Sequence, residues 1–217
     1  MTKKKKSRSV GPGRSHAHMD RRRSQVAELA ARIMLESGIR DFAVAKSKAA
    51  ERMGVIDGLP SNADIERALI EYQGLFRADS HQNELQQLRA TALEAMRFFQ
   101  SFSPLLTGAV LSGSAGPHAV IELHVFADAA ESLAVYLDDQ RLPYEIDEKR
   151  FRDGRGGYQY YPMLKFLADD TPIEVVVFPT AGRRQSPPSL VDGKPMARAD
   201  VAQLERMITD SELSLID

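Results

Sequence analysis

The chain between residues 24 and 101 has the hydrophobic spacing of amphipathic helices. Apolar residues recur every three or four positions in four successive segments, as they do on one face of a helix. The four stripes are Val26, Leu29, Ala30, Ile33 and Met34; Phe42, Ala45, Ala49 and Met53; Ile65, Ala68, Leu69, Tyr72, Leu75 and Phe76; and Leu85, Leu88, Ala92, Ala95, Met96 and Phe99. Plausible caps and stops flank them at Ser24, Gly38, Asp41, Gly54, Ser61 or Asn62, and Asp79 or Ser80. We predict four helices whose stripes form a core.

After Pro104 the hydrophobic period shortens toward two, which is the spacing of strands. We predict strands at residues 107–111, 119–126, 144–146, 158–166 and 173–178, and helices at 129–140 and 197–208. Pro162 should place its strand at an edge or at a bulge. This order of elements predicts an α+β unit with a small mixed sheet over residues 102–217, preceded by the helical region.

Charge separates the first 23 residues from the rest of the chain. They contain nine Lys or Arg residues and one acid, whereas residues 24–217 contain 20 basic and 29 acidic residues. Residues 1–23 have too few apolar groups to offset the entropy of ordering, so we expect disorder. Two interpretations of this tail stay open: an arm that binds the phosphates of a nucleic acid, or a solubilising end.

Absent features exclude several classes of protein. The chain has no cysteine, which excludes disulfide scaffolds, thiol nucleophiles and cysteine metal sites. The sequence contains no run of 18 apolar residues, so it predicts no membrane helix. The first lysines are not followed by the apolar region of a secretory signal. The motifs of P-loop and Rossmann nucleotide binding are also missing. We expect a cytoplasmic protein without a membrane partner.

The segment Leu111-Ser112-Gly113-Ser114, followed by Val120-Ile121-Glu122-Leu123, resembles the nucleotidyltransferase superfamily typified by DNA polymerase beta. That family has a Gly-Ser turn, then a strand carrying two acids at positions i and i+2, and a third acid on a later strand. Residues i and i+2 of a strand face the same side. The resemblance covers roughly residues 84–180, and it implies an α+β fold of the same kind.

The resemblance also implies roles for individual residues. Glu122 matches the second acid and Glu174 is the candidate for the third, so both would hold Mg²⁺ against a nucleoside triphosphate. Gly113 and Ser114 would cradle phosphate oxygens. The chain departs from the pattern at the first acid, where Val120 stands.

Two histidines could compensate for the missing acid. His124 shares a strand face with Glu122, which makes it a candidate metal ligand, and His118 precedes the strand, where it could take a catalytic role. The alternative for each of these acids and histidines is structural: a solvated carboxylate, or a hydrogen-bonded or loop histidine. Arg183 and Arg184 follow the strand at 173–178 and are candidates for binding the triphosphate or the acceptor.

Two functions are compatible with these residues. The first is a Mg²⁺-dependent nucleotidyltransferase that moves a nucleotidyl group from a nucleoside triphosphate to an unknown acceptor. The alternative is a catalytically degenerate protein of the same fold that binds a partner. In that case residues 1–23 would contact nucleic acid, and the acidic body would contact a protein. The position of the carboxylates relative to other side chains separates the two.

Overall fold

A computed structural model describes residues 12–76, 78–153 and 157–213. The helices are α1 (Pro12–Ser37), α2 (Phe42–Met53), α3 (Asn62–Phe76), α4 (Ala78–Phe98), α5 (Gly108–Ser112), α6 (Glu131–Asp139) and α7 (Val201–Leu213). The strands are β1 (Leu105–Thr107), β2 (Ile121–Phe126), β3 (Glu145–Arg152), β4 (Tyr158–Ala168) and β5 (Thr171–Phe178). The predicted α+β class, with a helical N-terminal half and a mixed sheet after it, is confirmed.

The chain divides into two compact units, Met1–Leu69 and Ile70–Asp217. In the first unit, α1 and α2 pack through fully buried small residues, among them Ala30, Ala45 and Ala49. Small side chains let two helices approach closely. The predicted boundaries of α2 are confirmed, since Asp41 Oδ1 accepts hydrogen bonds from two backbone amides of its first turn and Gly54 ends it at a φ of 62°.

The helix α1 begins earlier than the hydrophobic stripe suggests. Its first residue is Pro12, so residues 12–23 are helical where the sequence predicts disorder, while residues 1–11 lie outside the described residues. Proline suits the first position of a helix. Once the packed part of a helix is formed, extending it by one residue requires little free energy, because the unfavourable nucleation step is already complete. Arg23 also forms an ion pair of 2.9 Å with Asp64.

The second unit contains a five-stranded sheet in the order β1-β2-β5-β4-β3. The strands β2 and β5 are parallel and the other neighbouring pairs are antiparallel. Alternate residues give the sheet two faces. One face, which includes Leu123 and Val175, shares a core with residues of α4, α6 and α7, and we call it the helix face. The opposite face carries a separate cluster that includes Phe126 and Phe178.

The predicted strand at 107–111 is wrong beyond its first residue. The strand β1 ends at Thr107, and Gly108 turns the chain at a φ of 74° into α5. A left-handed φ interrupts the extended backbone, and only glycine adopts it without strain. The apolar run Ala109, Val110 and Leu111 therefore lies on a short helix, which a short apolar run does not distinguish from a strand.

The strands β3 and β4 form the far edge of the sheet. The strand β3 extends from Glu145 to Arg152, well past the predicted 144–146. Pro162 lies just before Met163, the first β4 residue in register with β5, so at Pro162 the strand is paired with β3. No helix within the described ranges is long and apolar enough to cross a membrane.

Candidate carboxylate site

Glu122 and Glu174 lie side by side on the second face of the sheet. They are register partners on the parallel strands β2 and β5. Register partners on neighbouring strands face the same side of a sheet, and side chains alternate along each strand, so His124, Phe126, Val176 and Phe178 share this face. We call Glu122 and Glu174 the carboxylate pair. Two anions at neighbouring positions of a sheet repel each other unless a cation lies between them.

That cation is the ammonium of Lys149. Its Nζ donates to Glu122 Oε2 at 2.7 Å and to Glu174 Oε2 at 2.9 Å. The three side chains are between 13% and 26% exposed, so solvent screens these bonds only in part. Burial opposes the charged form, but the two carboxylates outweigh it and raise the pKa of Lys149 above its ordinary value.

Sequence reasoning misses Lys149 because the residue is far from Glu122 and Glu174 along the chain and is not in register with either of them. It belongs to β3, where it lies opposite Tyr161 of β4, whereas Glu174 lies opposite Lys165. The lysine side chain therefore runs diagonally across β4 to reach the carboxylate pair. The predicted strand at 144–146 stops short of Lys149, and even the correct strand bounds would not reveal which long side chain crosses its neighbour.

Gly108 lies directly against the carboxylate of Glu122. A Cβ atom at Gly108 would stand 2.8 Å from Oε1 of Glu122, which is closer than real Cβ atoms approach an oxygen. The φ of 74° independently favours glycine there. The glycine that makes room at the carboxylate pair is therefore Gly108, at the N-terminal end of α5.

Gly113 and Ser114 lie at the opposite, C-terminal end of α5. Gly113 caps it with a φ of 84°, and Ser114 is buried. Side chains of α3 and α4 contact the carbonyl oxygens here: Gln73 Nε2 donates to Ser114, and His81 Nε2 lies 3.2 Å from the oxygen of Gly113. A helix C terminus presents partial negative charge, so this geometry does not favour the predicted contact with phosphate.

His124 lies on the same sheet face as the carboxylate pair, at the end of that face where aromatic rings enclose it. Its ring is 1% exposed and packs against Phe151 and Phe178, with centroids at 5.7 and 4.6 Å. Its Nδ1 accepts a hydrogen bond of 2.9 Å from Nε of Arg198. Burial, together with the charges of Arg198 and Lys149, holds the pKa of His124 well below its ordinary value. His124 is therefore neutral, and the lone pair of Nδ1 is already used.

The other predicted site residues lie on the surface around the sheet. His118 is exposed in the turn that precedes β2. Arg183 and Arg184 are exposed in a short helical turn that follows β5. Phe178, where the chain leaves β5, is four residues from Glu174, which corresponds to roughly 13 Å along a strand. Arg183 and Arg184 therefore follow the C-terminal end of β5, which is the end farther from the carboxylate pair.

The donor set does not fit a magnesium ion. The carboxylate pair is bridged by Lys149, the predicted third ligand His124 accepts from Arg198, and the position of the first acid is Val120. No group of three or more metal-ligating side chains occurs in the part of the chain that the structure describes. Magnesium needs several oxygen ligands in a nearly octahedral arrangement.

Two open clefts lie in the second unit, away from the carboxylate pair. One, of about 190 Å³, is lined by residues that include Phe151, Tyr161 and Phe178. The other, of about 410 Å³, is lined by residues that include Leu111 and Arg198. Neither has Glu122 or Glu174 in its wall.

Comparison with known proteins identifies one partial structural likeness. No protein-family model matches the sequence, and no curated protein matches it. A solved structure of the Cid1 poly(U) polymerase with MgGTP bound aligns with a TM-score of 0.29 and 15% identity. The aligned part covers 43% of this chain and 32% of the polymerase chain, so the chain spans about a third of its length.

Proposed function

We propose that the chain is a catalytically degenerate protein of nucleotidyltransferase-like fold that binds a partner rather than transferring nucleotides. The observation that carries the proposal is the double salt bridge of Lys149 with Glu122 and Glu174. In an active site of this kind the same two carboxylates would hold divalent metal. Here the positive charge between them is a side chain of the protein itself.

The surrounding residues support this interpretation of the carboxylate pair. A metal ion entering the site would have to displace an ammonium whose pKa is already raised by the same carboxylates. It would gain neither the first acid, which is Val120, nor the Nδ1 lone pair of His124. One ammonium bridges both carboxylates and lowers the net charge of the three side chains to −1, so an internal ion pair occupies the position between the carboxylates.

The proposed partners follow from the distribution of charge. The basic residues of segment 1–23 would contact nucleic acid, since lysine and arginine clusters release counterions when they meet phosphates. The acidic body would contact a protein.

Active nucleotidyl transfer is the second candidate function. One observation favours it: Gly108 leaves the carboxylate of Glu122 room next to a strand–helix turn, beside a second carboxylate in register. An active enzyme would require the ammonium of Lys149 to leave when metal and nucleotide bind. This requirement makes Lys149 the residue that separates the two functions.

Calorimetric titration with ATP, GTP, CTP and UTP, each with and without Mg²⁺, tests the proposal. We expect no magnesium-dependent binding by the unchanged protein. Lys149→Met and Glu122→Gln address the site, and Lys194→Met is the control, because Lys194 pairs with Asp192 in a turn outside the sheet. Magnesium-dependent binding that Glu122→Gln abolishes and Lys194→Met retains, together with pyrophosphate release, would establish the active enzyme instead.

A further inference from the structure

The outer end of the β3–β4 ribbon carries an exposed surface of tyrosine and arginine. Arg150 and Arg152 of β3 lie opposite Tyr160 and Tyr158 of β4, so that all four side chains share one face. We call these four residues the Tyr–Arg surface. It belongs to the helix face of the sheet, because Leu164 and Phe166 continue the same row of β4 into the core with α4 and α6.

The helices do not cover this end of the sheet. Tyr158 is 50% exposed and Tyr160 is 58% exposed, and both arginines are exposed. Within the described ranges, neither arginine forms an ion pair with a carboxylate; the guanidinium of Arg150 instead lies 4.3 Å from the centroid of the Tyr158 ring. Two cations and two large rings on one strand pair are an unusual surface for a body of net negative charge.

We propose that the Tyr–Arg surface binds single-stranded nucleic acid. Aromatic rings accept the faces of unstacked bases, and arginine both stacks on bases and neutralises phosphates. The rings are two residues apart on one strand, hence about 7 Å apart. That is about twice the 3.4 Å rise between stacked bases of a duplex strand, so the spacing suits an extended single strand whose bases are separated.

A second copy of the chain or an extended peptide would use β3 differently. Such a partner would pair with the free backbone edge of β3, and that edge bears the exposed acids Glu145, Asp147 and Glu148. Charged side chains on an edge strand oppose pairing with another strand. Stacking on the face of the ribbon needs no backbone pairing. Glu145 and Asp147 belong to the opposite face, whereas Glu148 shares the face and lies two residues from Arg150, so the nucleic acid would lie over the outer end of the ribbon, from Arg150 and Tyr160 to Arg152 and Tyr158.

The surface is separate from the carboxylate pair. Tyr158 and Tyr160 are even-numbered residues of β4, whereas the carboxylate pair lies on the opposite face, which Met163 shares. Binding at the Tyr–Arg surface is therefore independent of whether the carboxylate pair is catalytic. It is also distinct from the contact proposed for residues 1–23.

The test measures binding of the full chain to fluorescently labelled 12-nucleotide oligo(U) and oligo(dT), with a 12-base-pair duplex as the comparison. Tyr160→Ala removes one ring, and Tyr160→Phe keeps it. Arg150→Ala with Arg152→Ala removes both charges, and Arg141→Ala with Arg206→Ala removes two exposed arginines elsewhere in the same unit. All variants are repeated in a chain whose lysines 3–6 are glutamine, so that contacts of the tail are reduced.

We expect Tyr160→Ala to weaken single-strand binding at least fivefold, roughly the lower limit for loss of one stacked base, with Tyr160→Phe near the unchanged protein. Loss of both arginines should flatten the log–log dependence on salt by about 1.4, the value for two phosphate contacts to a single strand. The control pair should leave affinity within about twofold of the unchanged protein. Equal affinity of Tyr160→Ala and the unchanged protein, no binding to any single strand, or capture of only a protein partner would overturn the proposal.

Discussion

The two ends of the second sheet face use a cation in different ways. At the carboxylate pair, Lys149 bridges two anions and offsets one of their two negative charges through charged hydrogen bonds that remain partly in contact with water. At the aromatic end, Arg198 donates to a neutral and buried His124, and its guanidinium also lies 5.1 Å from the ring centroid of Phe178. One end is held by a bridging cation, and the other by burial and ring contacts.

This difference gives the two ends opposite responses to pH. The pKa of Lys149 is raised in the folded protein, so its contribution to stability is present below about pH 10.5 and is lost as the pH rises through the folded pKa. The pKa of His124 is lowered, so folding is opposed when the pH falls below about 6.5 and the unfolded chain takes up a proton. Alkali therefore weakens the carboxylate end and acid the aromatic end.

Lys149→Met should lower the free energy of unfolding more than any of the substitutions that follow. The two partly buried carboxylates then lose the ammonium that bridges them, and we expect a loss of about 2–3 kcal/mol in the free energy of unfolding. Urea denaturation measures it. Adding Glu122→Gln and Glu174→Gln should recover most of the loss, because the repulsion is removed. If the single variant is as stable as the unchanged protein, the ion pairs of Lys149 do not hold this end together.

Gly108→Ala should have the next largest effect. Gly193 offers a matched control, since its φ of 73° equals that of Gly108 within one degree and a Cβ atom added there would have no heavy atom within 4 Å. We expect Gly193→Ala to cost about 1 kcal/mol for the left-handed backbone alone. Gly108→Ala should cost about 1 kcal/mol more, because Glu122 must move as well.

The same denaturation experiment distinguishes backbone strain from the carboxylate contact. In a Glu122→Ala background the cost of Gly108→Ala should fall to that of Gly193→Ala. An unchanged cost in that background would mean that the carboxylate of Glu122 does not lie against Gly108.

His124→Asn should alter the pH dependence of stability more than stability itself. The Asn carbonyl oxygen can accept from Arg198 as Nδ1 does, but it does not titrate. As the pH falls below about 6.5, the unchanged protein should lose stability relative to the variant, with a limiting slope of about 1.4 kcal/mol per pH unit. The difference between the two unfolding free energies, measured from pH 5 to 8, isolates His124 from the other titrating groups. A difference that does not vary with pH would contradict a neutral, buried His124.

Lys165→Met should have the smallest effect. Lys165 pairs with Asp147 on the same face as Lys149, but both partners are exposed, and exposed pairs contribute little. We expect a midpoint of thermal unfolding that is unchanged within error. A shift comparable to that of Lys149→Met would show that position on this face, rather than burial, decides what an ion pair contributes.

Much of the fold was predictable from local patterns. The helix from Phe42 to Met53 has its cap and its stop in the sequence, at Asp41 and Gly54. The β-branched run before Phe178 forms β5. The prediction failed at Ala109–Leu111, where a short apolar run follows a turn glycine, and in residues 12–23, where a helix packed elsewhere continues into a polar segment.

The candidate site was predictable only in part. The sequence places Glu122 and Glu174 on strands, and their side-by-side position required that these two strands be parallel neighbours. The partners of Gly113 and His124 could not be predicted because they lie far along the chain: the carbonyl oxygen of Gly113 is 3.2 Å from Nε2 of His81, and Nδ1 of His124 accepts from Arg198.

By itself the sequence determined the class of fold, the identity of the acidic residues and the absence of the first acid at Val120. Hydrophobic period, caps and composition act over a few residues, so they can be read without a fold. Only the tertiary structure decided that Lys149 bridges the two carboxylates and that Gly108 makes room for Glu122. The contacts of Lys149 depend on the register of its strand with carboxylates that are 25 and 27 residues away along the chain. The position of Gly108 against Glu122 depends on the pairing of β1 with β2. Short-range sequence patterns specify neither.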